Sequence, residues 1–448
     1  MIGRAHTVRP LARWAPVAVS YLVASLLLVS QAAALTAQQS NYLKLAERGV
    51  AQAKRTFKDA RHGIWNGKRN VPVSWFDERL GSHMAYPLAT IWGSVALFES
   101  LSAIASANPT AANRAALDAF AEGTRPAARP PGARIAKRPG PANAAAGARV
   151  AWAHTATVVY GGAESYWDPA MGAFAPYPGD RGPANTWFDD NAWWGIAFID
   201  AYKVLHKTRL LQDAQDAFQF IARRGWDGSG GGGLFWNTYH SPGGQKSGEA
   251  LAAGSLLGAL LAGALKEAAA SAPGRAKAAY MAAAGADTQT VEKFLGWGDS
   301  HFTGNFGGLY SRTQFDNTPM PYVAGPEIEA KQLLCTELPN GNPYCAQARQ
   351  VADAAFKRFA YRLDMGPQFD VIYLHWMLVY GQQAGDGRWA PMALHFASEG
   401  SANARAASGL YLRAWDGTDM SGHQAEPNML RTDAATVELF GWLAADVP

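Results

Sequence analysis

The sequence is poor in charged residues and has little excess of either sign. Asp, Glu, Lys and Arg make up 17% of the 448 residues, against about 25% in an average soluble protein, and the formal net charge is +4. A nucleic-acid-binding protein would carry a basic stripe and a much larger positive charge. The composition therefore argues against nucleic acid as a partner.

Metal-binding and nucleotide-binding motifs are also missing. The histidines form no HxH or HxxxH pair, and the glycine run GSGGGG lacks the Lys-Ser/Thr of a phosphate loop. We therefore expect neither a metal site nor a cofactor. The only cysteines, Cys335 and Cys345, flank the turn-rich stretch TELPNGNPY. A disulfide across this loop is the favoured interpretation, with two free thiols as the alternative.

Apolar runs long enough to cross a membrane are not evident, and the nearest to one lies at the N-terminus. Three arginines within the first 13 residues precede the apolar run 15–29, which is followed by the small residues SQAAALTAQ. This order is typical of a secretory signal, so we expect residues 1–37 to be a signal peptide. An uncleaved N-terminal anchor is the alternative, although the run is shorter than the roughly 20 residues of a spanning helix. The mature protein is then a secreted or periplasmic monomer without a membrane span.

Extended strand alternation is absent, and helical periodicity dominates instead. Segments such as YLKLAERGVAQAKRTF and NAWWGIAFIDAYKVL carry apolar residues at helical intervals. Many such segments alternate with loops rich in glycine and tryptophan. The pattern predicts an all-α fold built as a closed double ring of helical hairpins, with a stacked open solenoid as the competing architecture.

One segment, residues 108–148, is dominated by Ala, Pro, Arg and Gly. Proline at this density does not continue a helix, and the segment offers little to fill a core. We therefore expect a flexible, dispensable surface insertion within a single domain that spans residues 38–448.

The stretch NTWFDDNAWWG places two adjacent carboxylates, Asp189 and Asp190, among large aromatic rings. One aspartate at a helix start is commonly a cap, because the helix dipole favours its negative charge. A cap does not explain the second aspartate or the rings. Burial and a like charge should raise the pKa of one carboxyl, so that it keeps its proton while its neighbour is ionised. Glycosidases divide acid and base in this way near neutral pH.

The aromatic rings point to the same chemistry, because they suit the mixed polar and apolar faces of sugars. A polysaccharide or oligosaccharide is the expected partner. The candidate substrate-binding residues surround the Asp pair or lie in a later glycine-rich loop: Trp187, Phe188, Asn191, Trp193, Trp194, Trp236 and Tyr239.

The sequence TWFDDNAWWGIAFIDAY, followed by GGGLFW, resembles the family 76 glycoside hydrolases, which are endo-acting α-1,6-mannanases. The matching features are the Asp pair, the aromatic pair on the following helix and the Gly-Gly-x-x-Trp loop. The resemblance implies an (α/α)6 toroid that cleaves α-1,6-linked mannan or a related α-mannoside. It also implies that Asp189 is the nucleophile and Asp190 the acid/base.

Two later motifs depart from the family pattern. Both lie in regions that shape substrate binding, so they bear on which glycan is bound more than on the reaction. Lys246 is present without the asparagines that usually accompany it, and a Tyr-Asn-Gln-Gly motif survives only at its ends, Tyr322 and Gly325. Tyr322 remains a candidate substrate-binding residue. The alternatives are a cell-wall transglycosidase of the same fold, a non-catalytic glycan-binding protein, and another (α/α)6 enzyme such as a polysaccharide lyase or a sugar epimerase.

Adjacency of the two aspartates also predicts the stereochemistry. Neighbouring Cα atoms are about 3.8 Å apart. Their carboxyl groups can readily lie roughly 5 to 5.5 Å apart, as in retaining glycosidases, whereas inverting enzymes need roughly 6.5 to 9.5 Å. The sequence therefore predicts retention through a covalent glycosyl-aspartate.

Overall fold

The computed structural model describes the following parts of the chain: residues 35–58, 73–77, 82–86, 89–122, 162–176, 186–229, 231–241, 244–339, 342–418 and 429–446. Residues Ala37–Pro448 form one compact unit. All but the last few residues of the expected signal peptide lie outside the described residues.

Helices account for most of the described chain. Their bounds are α1 Ala37–Phe57, α2 Ile91–Ala107, α3 Ala111–Glu122, α4 Phe188–Leu205, α5 Thr208–Phe220, α6 Gly248–Ser271, α7 Gly274–His301, α8 Pro321–Glu337, α9 Tyr344–Phe359, α10 Pro367–Ala384, α11 Trp389–Asn403 and α12 Leu430–Asp446. Two short antiparallel hairpins accompany them. Strand β1 (Val73–Asp77) pairs with β2 (Ser82–Tyr86), and β3 (Trp167–Asp168) pairs with β4 (Ala173–Phe174).

The even-numbered helices form a closed inner ring. They pack in the order α2, α4, α6, α8, α10 and α12, and α12 packs back against α2. The odd-numbered helices lie outside, where α5, α7, α9 and α11 each pack against the inner helix that precedes them, α3 packs on α2, and α1 packs on α12. This is the (α/α)6 toroid that the sequence predicts. The contact between α12 and α2 excludes the open solenoid.

Position in the ring explains the apolar character of each helix. An outer helix such as α5 buries one stripe, which includes Leu210, Leu211, Ala214 and Phe218. An inner helix is covered on nearly all sides. Helix α6 is long and apolar enough to cross a membrane by length and composition, contrary to the expectation from the sequence. Because 89% of its apolar window is buried inside the structure, its place in the inner ring accounts for its composition.

The expectation of an insertion at residues 108–148 is wrong for its first part. Residues Ala111–Glu122 form outer helix α3, which packs against α2 and α4 and buries Leu117 and Phe120. The Phe120 ring lies 5.3 Å from that of Phe98 on α2. The sequence of this alanine-rich helix does not stand out, because a proline-rich sequence follows it directly. Residues 123–148 lie outside the described residues. Deleting residues 108–148 as a whole would remove outer helix α3 and its contacts with α2 and α4.

The two cysteines form a disulfide, as predicted. Cys335 near the end of α8 is bonded to Cys345 at the start of α9, with Cα atoms 4.7 Å apart. The bond closes the loop between these helices and confirms the interpretation over that of two free thiols.

Small residues allow the inner helices to approach closely, and this gives a test of the fold. A Cβ atom on Gly195 of α4 would lie 2.6 Å from the Leu257 side chain of α6. We expect Gly195→Ala to lower the free energy of unfolding by about 1–3 kcal/mol through overpacking. The control is Gly285→Ala on α7, where a Cβ atom meets nothing within 4 Å. That change should raise the free energy of unfolding by about 0.4–1 kcal/mol. Denaturant unfolding measures both, and equal effects would contradict the close α4–α6 contact.

Candidate active site

The candidate site lies where inner helices α4, α6 and α8 begin. The loops that lead into these helices are joined to one another by isolated backbone bridges: Trp187 with Asn237, Phe235 with Lys246, Ser247 with Thr313, and Ser311 with Pro319. These bridges hold the three helix N-termini and the Gly-Gly-x-x-Trp loop in one continuous layer. The layer carries most of the candidate residues.

Asp189 lies in the first turn of α4 and is 4% exposed. Burial raises the pKa of Asp189 to about 6. The Tyr322 hydroxyl, which donates to its Oδ2 at 2.8 Å, opposes this rise, as do the backbone amides of the first turn. Donors and the helix N-terminus both favour the ionised form. Asp189 is therefore the carboxyl of the pair that is equipped to carry a negative charge.

Asp190 occupies a different environment although it is the next residue. It is also buried, and its Oδ2, like Oδ1 of Asp189, has no hydrogen-bond partner among the described residues, but no side chain donates to Asp190 there as Tyr322 does to Asp189. Burial, followed by the negative charges of Asp189 and Glu249, raises the pKa of Asp190 well above its ordinary value. Asp190 therefore holds its proton over a pH range in which Asp189 is already ionised.

Tyr322 on α8 orients Asp189 through a short relay. The indole Nε1 of Trp193 donates to the Tyr322 hydroxyl at 2.6 Å. Because an indole nitrogen can only donate, the Tyr322 hydroxyl accepts from Trp193 and directs its own proton to Asp189. The rings of Trp92 and Phe369 lie 5.7 and 5.4 Å from the Tyr322 ring and confine it. The sequence placed Tyr322 among the substrate-binding residues, whereas the structure makes it a hydrogen-bond partner of Asp189.

The Gly-Gly-x-x-Trp loop brings Trp236 beside the Asp pair. The amide of Phe188 donates to the Trp236 carbonyl at 3.0 Å, so the loop runs along the start of α4. Gly232 and Gly233 have φ values of 94° and 86°, and a Cβ on Gly233 would lie 2.6 Å from the Trp297 ring. Both the left-handed backbone and the close ring contact require glycine here. This explains the paired glycines of the motif.

Two neighbouring tryptophans on α4 point in different directions. Successive residues on a helix are about 100° apart, so Trp193 and Trp194 cannot face the same surface. Trp193 faces Tyr322, but Trp194 is fully buried among rings that include Tyr166, at 4.8 Å, and Phe174, at 5.7 Å. The assignment of Trp194 to substrate binding is wrong, because its ring is part of the core.

Asn191 and Phe188 also have structural roles. The Asn191 side chain accepts from the Phe174 amide at 2.8 Å and donates to the Phe174 carbonyl at 3.1 Å, which ties strand β4 to α4. Phe188 is fully buried and its ring lies 5.1 Å from that of Phe220. Neither side chain is open to a substrate. Their assignment to substrate binding is therefore wrong.

The two remaining candidates lie at the margins of the site. Trp187 precedes α4 and is 7% exposed, paired through its backbone with Asn237. Tyr239 is 64% exposed, on the loop that follows Trp236. Of the predicted residues, the structure thus brings together Asp189, Asp190, Trp193, Trp236 and Tyr322.

A third carboxyl group, which the sequence analysis missed, lies beside the pair. Glu249 is in the first turn of α6, is 6% exposed, and accepts from Arg312 Nε at 2.7 Å. Burial, then the charge of Asp189, raises the pKa of Glu249 to about 7, and Arg312 opposes this rise. An acid in the first turn of a helix is common. The sequence signal that could have identified Glu249 is its position in the first turn of an apolar helix, which is also the position of the Asp pair.

Lys246 also contributes to the frame of the site. It forms a buried ion pair with Asp227, and its ammonium lies 3.3 Å from the centre of the Phe235 ring. The pair connects the two ends of the Gly-Gly-x-x-Trp loop.

Within the described part of the chain, no group of three or more His, Cys, Asp or Glu side chains is arranged to hold a metal ion.

Comparison with known proteins gives a family match over the part of the chain that carries the candidate site. The sequence model of Glycosyl hydrolase family 76 matches residues 166–282, which include the Asp pair, the Gly-Gly-x-x-Trp loop and α6. No curated protein is significantly similar to the chain in sequence.

Similar solved structures cover about nine tenths of the chain. A family 76 glycoside hydrolase from a bovine Bacteroides thetaiotaomicron strain is 14% identical, with a TM-score of 0.64 over 90% of this chain and 77% of that chain. The GH76A α-1,6-mannanase from Salegentibacter sp. HEL1_6 is 15% identical, with a TM-score of 0.58 over 90% of this chain and 98% of that chain. A cellobiose 2-epimerase from Spirochaeta thermophila DSM 6192 is 13% identical, with a TM-score of 0.51 over 92% of this chain and 99% of that chain.

At these identities the structural likeness shows the fold, which the epimerase shares. The sequence match is what distinguishes the family. Together, the match over residues 166–282 and the shared toroid confirm the resemblance of this chain to glycoside hydrolase family 76.

Proposed function

We propose that this protein is a retaining glycoside hydrolase that cleaves α-1,6-linked mannan or a related α-mannoside. The observation that carries the proposal is the contrast between two adjacent buried carboxyls. Asp189 has hydrogen-bond donors that favour its charge, whereas Asp190 faces burial and negative charge that favour its proton. A glycosidase needs one carboxyl in each state, close to the same glycosidic bond.

The contrast assigns a role to each aspartate in a two-step reaction. Asp189 attacks the anomeric carbon while Asp190 gives its proton to the departing glycosidic oxygen, which leaves a glycosyl-aspartate and an ionised Asp190. Asp190 then removes a proton from water as that water attacks the anomeric carbon, and Asp189 departs as a carboxylate. Two displacements on one carbon retain its configuration. The adjacency of the two residues also favours the short carboxyl spacing of retaining enzymes.

The mannan specificity rests on the relatives and on the aromatic rings. One solved structure is an inactive variant of the Salegentibacter mannanase, with two aspartates replaced, in complex with α-1,6-mannotriose. In this chain, partly buried Trp236 and exposed Tyr239 lie on the same loop beside the Asp pair. We propose that Trp236 stacks on the sugar nearest the carboxyls and that Tyr239 contacts a more distant unit.

Export is part of the same proposal. A polymeric mannan is a substrate outside the cytoplasm, and the disulfide between Cys335 and Cys345 is of a kind that persists in oxidising compartments. We therefore propose that the protein acts in the periplasm or outside the cell after removal of residues 1–37. Partition of the protein between culture fractions, with mass spectrometry of its N-terminus, tests this.

The stereochemical course tests the proposed mechanism directly. With an α-1,6-mannooligosaccharide as substrate, proton NMR should show the α-anomer of the new reducing end first, followed by slow mutarotation to the equilibrium mixture. First appearance of the β-anomer would refute the glycosyl-aspartate. Products longer than the substrate would instead indicate transfer to a sugar, and isomerisation without cleavage would indicate an epimerase.

Substitution of each aspartate should separate the two roles. Asp189→Asn should leave no measurable turnover with any substrate, because the nucleophile is lost. Asp190→Asn should reduce cleavage of mannan by about 10²–10⁴-fold. With an aryl mannoside that has an acidic phenol, the first step of Asp190→Asn should be nearly as fast as in the wild type, since this leaving group needs little protonation. The control is Asp216→Asn, an aspartate of outer helix α5. Equal losses for Asp190→Asn with both substrates would contradict its role as the acid.

The pH dependence of kcat/KM should report the pKa values of both Asp189 and Asp190. Activity should fall below about pH 6, because Asp189 must be ionised, and should fall again as the pH rises through the raised pKa of Asp190. Tyr322→Phe removes a donor that lowers the pKa of Asp189, so the acidic limb should move to higher pH. Tyr361→Phe, at a residue 49% exposed, is the matched control. An unshifted acidic limb in Tyr322→Phe would contradict the relay.

A further inference from the structure

Glu249 and Arg312 form an ion pair that the local backbone builds into the site. The amide of Gly248 donates to the Arg312 carbonyl at 2.8 Å, and Ser247 is bridged to Thr313. A Cβ atom on Gly248 would lie 2.1 Å from the Ser311 carbonyl oxygen, so only glycine permits this approach. The backbone thereby places Arg312 beside the first turn of α6, where its Nε reaches Glu249.

The two ends of the pair have unequal exposure. The side chain of Glu249 is 7% exposed and that of Arg312 is 41% exposed. Arg312 lines an open cavity of about 500 Å³ that also includes Pro321 at the start of α8 and Arg362 beyond α9. The carboxylate is thus held inside the site, and the guanidinium is open to solvent and to this cavity.

The surroundings of Glu249 contain more negative than positive charge. Helix α6 packs directly against α4 and α8. The titratable and charged groups that face Glu249 are contributed by α4, by the loop between α7 and α8, and by α8: Asp189, Asp190, Arg312, Asp316 and Tyr322. Among the described groups that face Glu249, Arg312 is the only cation, and a buried carboxylate with a single cationic neighbour is unfavourable for stability. Its presence next to two other carboxyls indicates a role in their chemistry.

We propose that the Glu249–Arg312 pair positions the catalytic proton: Arg312 favours the ionised form of Glu249, and the negative charge of ionised Glu249 keeps the proton on Asp190. Glu249 is a positioning residue, because it acts through Asp190 and not on the sugar. The inference rests on the proposed function, since it explains how the acid of that reaction stays protonated.

The order in which the three carboxyls ionise makes the proposal specific. Asp189, with a pKa raised only to about 6, ionises first, and Glu249, at about 7, follows it. The pKa of Asp190 is raised by burial and then by the charges of both neighbours, so Asp190 ionises last. Loss of the Glu249 charge should therefore lower the pKa of Asp190 and leave that of Asp189 nearly unchanged.

The kinetic test is the pH profile of kcat/KM in Glu249→Gln. The alkaline limb should move to lower pH by about one unit, because a nearby like charge has been removed, and the acidic limb should stay in place. Glu249→Asp keeps the charge and should restore the alkaline limb. Arg312→Gln should move the same limb in the same direction, because Glu249 becomes harder to ionise, and the double variant should shift it no further than Glu249→Gln does. Glu267→Gln, at an exposed residue further along α6, controls for the change in net charge.

A direct titration separates this proposal from the proposed function. In protein labelled with ¹³Cγ-aspartate and without substrate, the Asp190 resonance, assigned from its loss in Asp190→Asn, should titrate at lower pH in Glu249→Gln than in the wild type. An unchanged Asp190 titration overturns the role of Glu249 even if mannan is cleaved. A shifted titration in a protein that cleaves no mannan supports the electrostatic coupling and refutes the proposed reaction. A pH-independent loss of activity in both Glu249→Gln and Glu249→Asp would also overturn the proposal.

Discussion

Desolvation of carboxyl groups at one end of the toroid is the interaction on which the site depends. Burying Asp189, Asp190 and Glu249 raises the pKa of each, and burial is the largest cause for all three. What distinguishes them is the set of neighbours that each side chain meets after burial. Donors reach Asp189, a guanidinium reaches Glu249, and like charges surround Asp190. Burial therefore raises the pKa of all three carboxyls, and their different neighbours make the three pKa values differ.

The closed ring supplies both the burial and the neighbours. Because hairpins alternate around the ring, the inner helices begin at the same end, and the N-termini of α4, α6 and α8 lie near one another. Each helix contributes a side chain from its first turns: the Asp pair, Glu249 and Tyr322. Helix N-termini favour negative charge, which partly offsets the desolvation of the carboxylates. Outer helix α7 supports this layer through Trp297, whose ring lies against Gly233, and the outer helices cover the apolar flanks that keep the inner helices packed.

The loops that precede the inner helices are held by glycine at points of close contact. Gly233 lies against the Trp297 ring, and Gly248 lies against the carbonyl of Ser311. Both contacts join segments that are far apart along the chain. They explain why the glycine-rich loops are ordered parts of the site, although glycine-rich sequence on its own is typical of flexible connections.

Local sequence was enough to recognise the helical class, the disulfide and the Asp pair, because each depends on spacing within a short stretch. Helical periodicity, two cysteines across a turn-rich loop, and adjacent aspartates among aromatics are all visible without partners. The same reasoning failed where a proline-rich tail hid the helix 111–122, and where Trp194, Asn191 and Phe188 were grouped with Trp193 by proximity in sequence. Composition averaged over a segment cannot show which residues turn inward.

Sequence by itself therefore determined which chemical groups the candidate site has available, since residue types and short spacings define its carboxyls and rings. Only the tertiary structure decided that Tyr322 donates to Asp189, that Trp193 meets Tyr322 while Trp194 is buried in the core, and that Glu249 pairs with Arg312. Those properties depend on contacts between residues as distant as Asp189 and Tyr322, or Glu249 and Arg312. The pKa and the orientation of a side chain depend on the groups that surround it in space. Closure of the helical ring brings those surrounding groups together from distant parts of the sequence.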